Sequence, residues 1–162
     1  MIRNEVNKYM KKADYITKLE QKYKYDEKNQ LSEEIKGVPG DLVVKNWTQT
    51  NNETEYYMDV VVGNIFAKSY VNTTCQRRLG LATLKEKQKK DKYNNKPNII
   101  PLAMEVTGGI GQEFKSVLHK ISCKISERVN KPQPIIMNRL RKNIIAKLMK
   151  ANCHMILSAL DL

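Results

Sequence analysis

Two aspartates stand where the sequence could do chemistry. Asp59 is the only charge in residues 56–62 (YYMDVVV), a run that otherwise reads as buried strand. A carboxylate in such a strand is costly unless it is paired or bound to a cation. Asp41 opens an earlier apolar stretch, residues 41–47 (DLVVKNW). If the two stretches form an antiparallel hairpin that turns near Thr50, Asp41 falls opposite Asp59. Opposed residues share a face, with Cβ atoms about 5 Å apart. Two carboxylates that close repel unless a cation or proton lies between them. A hard cation answers this, since Mg²⁺ takes carboxylate oxygens and keeps several waters. The plainer alternative is that Asp41 caps a turn and Asp59 pairs with a lysine.

Basic side chains follow. Residues 76–96 are rich in lysine and arginine. At 3-4-3-4 spacing Leu79, Ala82, Glu86, Lys89 and Tyr93 share one helix face. Its first two members are apolar, so the face points inward and carries Glu86, Lys89 and Tyr93 toward the sheet. Lys85, Lys87, Lys90 and Lys92 lie around the other sides, within reach of phosphates. A lysine beside a metal-bound phosphate can orient the attacking water and stabilise charge in the transition state. The alternative is an ordinary solvated face. Glu105 ends a third apolar segment and reads as an additional ligand or a polar strand end. The Gly108-Gly109-Ile110-Gly111 turn lacks the lysine and spacing of a P-loop, so it reads as a helix start. Residues 115–150 are again basic, with Arg139, Arg141, Lys142, Lys147 and Lys150 on the last helix, a surface suited to backbone phosphates.

The elements that must position these groups follow from periodicity. Ile2, Val6, Tyr9, Ala13 and Ile16 predict an amphipathic first helix. Residues 22–37 are almost wholly polar and read as a linker, closed by the turn residues Gly37, Pro39 and Gly40. Strands are predicted at 41–47 and 55–62 across a 48–54 loop, with an irregular stretch at 63–75. A helix is predicted over most of 76–93, then a buried strand at 98–106 in which Pro101 weakens the ladder. Phe114, Val117, Leu118, Ile121 and Ile125 stripe a fourth segment as helix. Leu140, Ile144, Leu148 and Ala151 stripe a last one, over 135–157. This order predicts an α/β sandwich with a small mixed sheet flanked by helices. The expected division is a domain over 1–129 and a basic C-terminal helix over 130–162.

The 162 residues carry 29 Lys and Arg against 17 Asp and Glu, a formal charge of +12. That balance favours polyanions, because each neutralised phosphate releases counterions. The expected partner is nucleic acid, with no membrane, since no apolar run approaches a span. Cys75, Cys123 and Cys153 are odd in number and widely spaced, which excludes a disulfide framework or zinc ribbon and suggests a reducing, intracellular compartment. His119 and His154 complete no zinc pattern and read as helix-surface residues. The basic run 85–92 is compatible with nuclear import.

Several of these motifs, in order, resemble a known family. Gly-Val-Pro-Gly-Asp41-Leu-Val-Val resembles the proline–aspartate strand of restriction-like PD-(D/E)xK endonucleases, and Tyr-Tyr-Met-Asp59-Val-Val-Val the strand that follows with the second acid. Lys89-Lys-Asp-Lys92-Tyr93 is similar to the K-x-x-K-Y helix in the endonuclease of site-specific non-long-terminal-repeat retrotransposons, where the catalytic lysine has moved from the strand to the helix. Ile-Pro-Leu-Ala-Met-Glu105-Val-Thr-Gly-Gly-Ile-Gly and the tail Ala151-Asn-Cys-His-Met-Ile-Leu-Ser resemble later parts of reverse-transcriptase polyproteins. Three features depart from the pattern. Gly40 separates Pro39 from Asp41, the interval from Asp41 to Asp59 is long, and Val61 stands where a standard member has lysine.

The resemblance implies a restriction-endonuclease-like fold and a metal-dependent endonuclease cutting DNA phosphodiester bonds, with DNA favoured over RNA and Mg²⁺ or Mn²⁺ as cofactor. It carries Asp41 and Asp59 over as metal ligands, Lys89 as the catalytic lysine and Tyr93 as its helix neighbour. Glu5 would supply the first-helix acid of some relatives. Arg77, Arg78, Lys85 and Lys92 are the nucleic-acid contacts expected beside that site. The alternative function is a catalytically inactive, basic nucleic-acid-binding domain, a decayed or domesticated retrotransposon fragment. A partner-binding module with apolar helices is the third.

Overall fold

The computed structural model describes residues 2–19, 40–48 and 54–159. The polar segment 22–37, the turn through Pro39 and the centre of the 48–54 loop lie outside the described residues. The elements run α1 (Ile2–Lys12), β1 (Ile16–Leu19), β2 (Leu42–Lys45), β3 (Tyr56–Gly63), α2 (Val71–Gln76), α3 (Gly80–Lys92), β4 (Ile99–Glu105), α4 (Gln112–Val129) and α5 (Gln133–Ala159). The fold is α/β, with an open four-stranded mixed sheet in the order β1-β2-β3-β4. The first three strands pair antiparallel and β4 lies parallel to β3. Parallel neighbours need a crossover, and α2 and α3 supply it.

The first helix ends sooner than its apolar spacing predicts. Asp14 adopts a left-handed backbone (φ 58°). Tyr15 N–H then donates to Met10 O at 3.1 Å and Asp14 N–H to Lys11 O at 3.1 Å, a Schellman closure. Ile16 therefore opens β1, 63% exposed, and does not join the helix face. Asn46 locks the reversal. Its Oδ1 accepts Ile16 N–H at 3.1 Å and its Nδ2 donates to Asp14 O at 3.2 Å.

The two faces of the sheet differ. Leu42, Val44, Met58, Leu102 and Met104 join Val6 and Met10 of α1, Phe114 and Leu118 of α4, and Leu140 and Ile144 of α5 in one apolar core. The opposite face buries Val43, Asp59, Ala103 and Glu105 beneath Leu81, Ala82 and Glu86 of α3. Gly63 makes room for this helix, since a Cβ there would come within 2.7 Å of the Leu81 side chain. Alternation along each strand separates an apolar face from a face that can carry chemistry.

Pro101 sits inside β4 without breaking its ladder to β3. Asn98 O accepts from Tyr57 N–H and Val106 N–H donates to Gly63 O. The even-numbered residues thus face β3, and the missing N–H of Pro101 points to the outer edge. Farther along, that edge is covered by the 109–111 segment, through Glu105 N–H to Gly109 O and Gly111 N–H to Ala103 O.

The stretch expected to be irregular contains α2. The expected single helix over 76–93 is interrupted at Leu79, which is left-handed (φ 59°), so α3 starts at Gly80. The last helix buries Ile136, Leu140, Ile144 and Leu148 against the common core. Ala151 is exposed, contrary to the predicted stripe, because α5 leaves the core after Leu148. Asn152 ties this part back by donating to Val106 O at 2.9 Å. Among the described residues no helix is long and apolar enough to cross a membrane.

Candidate active site

The ladder between β2 and β3 pairs Leu42 with Met58 and Val43 with Tyr57. Asp41 lies just beyond the last pair of that ladder, and its backbone departs from the register that would set it opposite Asp59. Asp41 N–H donates to Met58 O at 2.9 Å, and Asp41 Oδ2 accepts the backbone N–H of Val60 at 2.9 Å. Gly40 is what allows this approach. Its φ is 105°, and a Cβ there would stand 3.1 Å from Met58 O and 3.3 Å from Met58 C and N. The glycine between Pro39 and Asp41 therefore has a structural reason.

Asp59 is 7% exposed. Its Oδ2 receives Lys89 Nζ at 2.6 Å and Tyr93 Oη at 3.3 Å. Lys89 and Tyr93 are four residues apart, so the last turn of α3 presents both to one point. Basic residues are also favourable there, at the negative end of the helix dipole. The Asp59–Lys89 pair is the lysine partner that burial of Asp59 requires. Asp59, Lys89 and Tyr93 thus meet on the α3 face of the sheet, while the Asp41 carboxylate is held at Val60, the next residue of β3.

Other acidic residues take different places. Glu5 is buried on α1, where Lys8 approaches it at 3.9 Å. Glu105, four residues beyond the position opposite Asp59, accepts Ala82 N–H at 3.3 Å and so caps the first turn of α3. Among the described residues no three His, Cys, Asp or Glu side chains group as a metal site, so neither Glu5 nor Glu105 adds a third ligand to the aspartate pair. The glycine turn is a helix start, as its sequence predicts. Gly111 caps α4, and Glu86 Oε1 accepts Glu113 N–H at 2.9 Å there. A Cβ on Gly111 would fall 2.2 Å from Glu86 Oε1.

Burial pushes the Glu86 carboxyl above the ordinary glutamate value of 4.5, against the opposing hydrogen bond from the Glu113 backbone. A raised folded-state pKa favours the protonated acid in the folded chain. Its contribution to stability is present below 4.5 and is lost as the pH rises through the raised value. Glu86→Gln keeps an acceptor oxygen and removes this titration. Its thermal midpoint, relative to wild type, is expected to rise with pH from 4 to 7. A constant difference across a midpoint series would overturn the assignment.

Of the expected nucleic-acid contacts, Lys85 donates to Tyr70 Oη at 2.8 Å and lies 4.5 Å over its ring. Lys92 is exposed beside Tyr93. Arg77 and Arg78 flank the break before α3 and line a hollow with Lys115 and Arg141. The sequence carries no signal for that convergence, because the side chains come from three separate segments. His119 and His154 are exposed on helices, as expected.

No protein-family model matches the chain, and no curated protein or solved structure is significantly similar to it.

Proposed function

We propose that this chain is a metal-dependent endonuclease domain with a restriction-endonuclease-like arrangement, acting on DNA. The observation that carries the reading is the buried Asp59, to which α3 brings Lys89 and Tyr93, with the Asp41 carboxylate anchored on the neighbouring Val60 N–H. The resemblance of Lys89 and its neighbours to the K-x-x-K-Y helix attaches the domain to non-long-terminal-repeat retrotransposons.

The residues fit a divalent cation. Mg²⁺ is commonly held by one or two carboxylates while it keeps waters, and Asp59, with the Asp41 carboxylate bound at the next residue of β3, offers that donor set. Asp41 and Asp59 would hold the ion, which supplies charge neutralisation at the phosphate and a more acidic water. Asp59 fixes Lys89 and Tyr93 at the same point. Lys89, a quarter exposed, can turn from Asp59 to a phosphate oxygen and stabilise the negative charge that develops there. Tyr93 keeps the end of α3 against Asp59. Lys92 and Lys85, further around the helix, extend positive potential along the substrate path.

One observation favours the inactive, nucleic-acid-binding alternative: Asp59 already has a lysine partner, and Asp41 spends an oxygen on Val60 N–H. The two readings separate in one assay. Purified protein is expected to nick supercoiled plasmid with Mg²⁺ or Mn²⁺ and not with EDTA. Salt-sensitive binding without cutting under any of these conditions would replace the enzyme by the binding domain.

A further inference from the structure

We propose that the hollow between the start of α3 and the end of β4 is a second phosphate-group site, which takes a backbone phosphate of a bound nucleic-acid strand some nucleotides away from Asp59. The partner class rests on the nucleic-acid reading above, whereas the phosphate chemistry rests on the hollow itself. It encloses about 420 Å³. Arg77 and Arg78 enter from the α2–α3 break, Lys115 from the first turn of α4 and Arg141 from α5. None of these four takes part in an ion pair among the described residues. The acid that lines the hollow, Glu105, has one oxygen on Ala82 N–H. Like charges gathered around a concave surface repel, and an anion between them removes the repulsion. Guanidinium forks match the oxygens of a phosphate in pairs.

The wall is shaped for a close approach. Gly108 has φ 92° and a Cβ on it would meet Ile145 at 3.3 Å. A Cβ on Gly109 would stand 2.6 Å from Leu79 Cδ2 and 2.8 Å from Glu105 Oε2. Side chains are thereby excluded from the rim formed by 108–109. Leu79 itself is held at φ 59°, a strained conformation for a residue with a β-carbon and one that collects at functional positions. This turn places Arg77 and Arg78 at the mouth of the hollow.

The position suits a strand that also reaches the aspartates. Asp59 pairs with Pro101 and Gly63 with Glu105, so the hollow begins four residues along the same face. Four strand residues span about 13 Å, the axial rise of roughly four nucleotides. A strand laid along the flank of α3, which covers this sheet face, would set one phosphate at the Asp59 end and another at the arginines.

Arg78 and Arg141 are exposed, so replacing both by glutamine leaves the core untouched. The test compares R78Q/R141Q with a double variant of equal charge, K11Q/K12Q, whose side chains are exposed at the end of α1 and do not line the hollow. Affinity for a 20-base-pair duplex is measured by fluorescence anisotropy at several salt concentrations in EDTA, and inorganic phosphate binding by calorimetry. The expected result is a loss of about tenfold in duplex affinity, a salt slope shallower by about 1, and loss of phosphate binding, with the control changed less than threefold. Lost phosphate binding with unchanged duplex affinity would assign the hollow to a free phosphate and overturn the strand assignment. Unchanged phosphate binding and duplex affinity would overturn the site altogether. Because cleavage is not read, an inactive metal site leaves this outcome intact. A wild-type chain that binds phosphate but no duplex would refute the nucleic-acid reading and its strand assignment, while the calorimetry still decides the phosphate site.

Discussion

Asp59→Asn is expected to lower the rate of Mg²⁺-dependent plasmid nicking by at least about 10²–10³-fold, the scale on which a single electrostatic partner of a transition state acts. Asparagine is close in shape but carries no charge, so it cannot share a divalent ion with Asp41. It also gives Lys89 no reason to stay at the site. The stability of the fold should change by no more than about 1 kcal/mol. Removing one member of a buried ion pair is costly when the charge left behind stays buried. Here the one left is Lys89, a quarter exposed, which reaches water by rotating its stem. Binding should not weaken either, since the substitution removes a negative charge from a chain whose net charge is +12. Nicking, thermal midpoint and duplex affinity in EDTA are measured on the same preparation. Retained cutting would remove Asp59 from the mechanism, and a fall in midpoint parallel to the loss of rate would make its role structural.

The antiparallel pairing of β2 with β3 was legible because strand chemistry has a period of two. Once residues 41–47 and 56–62 are strands, alternation predicts Asp41 opposite Asp59, but the ladder ends at Leu42 and Met58 and Asp41 N–H goes to Met58 O, a departure at Gly40 that alternation cannot show. Lys89 and Tyr93 were legible through the helix period in the same way. What was not legible depended on backbone conformations that ordinary residues rarely adopt. Asp14 and Leu79 are both left-handed, and neither is a glycine to mark the break. The apolar spacing of α1 accordingly ran on to Ile16, and the break before α3 was hidden. β1 was missed because only four residues form it, with no buried position among them. The polar segment VNTTCQ of α2 has no apolar period to show a helix. Ala151 continues the stripe of α5 by spacing alone, but whether a stripe is buried depends on where the rest of the core ends. Lys115 and Arg141 meet Arg77 and Arg78 only through tertiary packing, which spacing does not encode. The carboxylates of Glu86 and Glu105 are a further case. Spacing puts Glu86 on the inward face of its helix and leaves Glu105 as an additional ligand or a polar strand end, whereas each accepts a backbone N–H at the start of a neighbouring helix.

The division of labour between the two sheet faces predicts the opposite phenotype for a core residue. Phe114 is fully buried in the first turn of α4, in the cluster that holds Leu102 and Met104 of β4. Phe114→Ala removes a ring and leaves a cavity, which costs about 3–5 kcal/mol when the surroundings relax only partly. Domains of this size are stable by about 5–15 kcal/mol, so the variant loses a large share of its margin. At about 2–4 °C per kcal/mol, the thermal midpoint should fall by roughly 6–20 °C. Phe114→Leu, which keeps most of the volume, should cost less than about 1.5 kcal/mol. Neither substitution touches the α3 face, where Asp59, Lys89 and Tyr93 are held. Nicking per folded molecule, assayed well below the lowered midpoint, should therefore stay within about threefold of wild type, a change worth less than about 0.7 kcal/mol. A midpoint shift below 2 °C would mean that α4 does not close the core over β4. A selective loss of cutting at unchanged stability would mean that the two faces are coupled through the Glu86 contact at the start of α4.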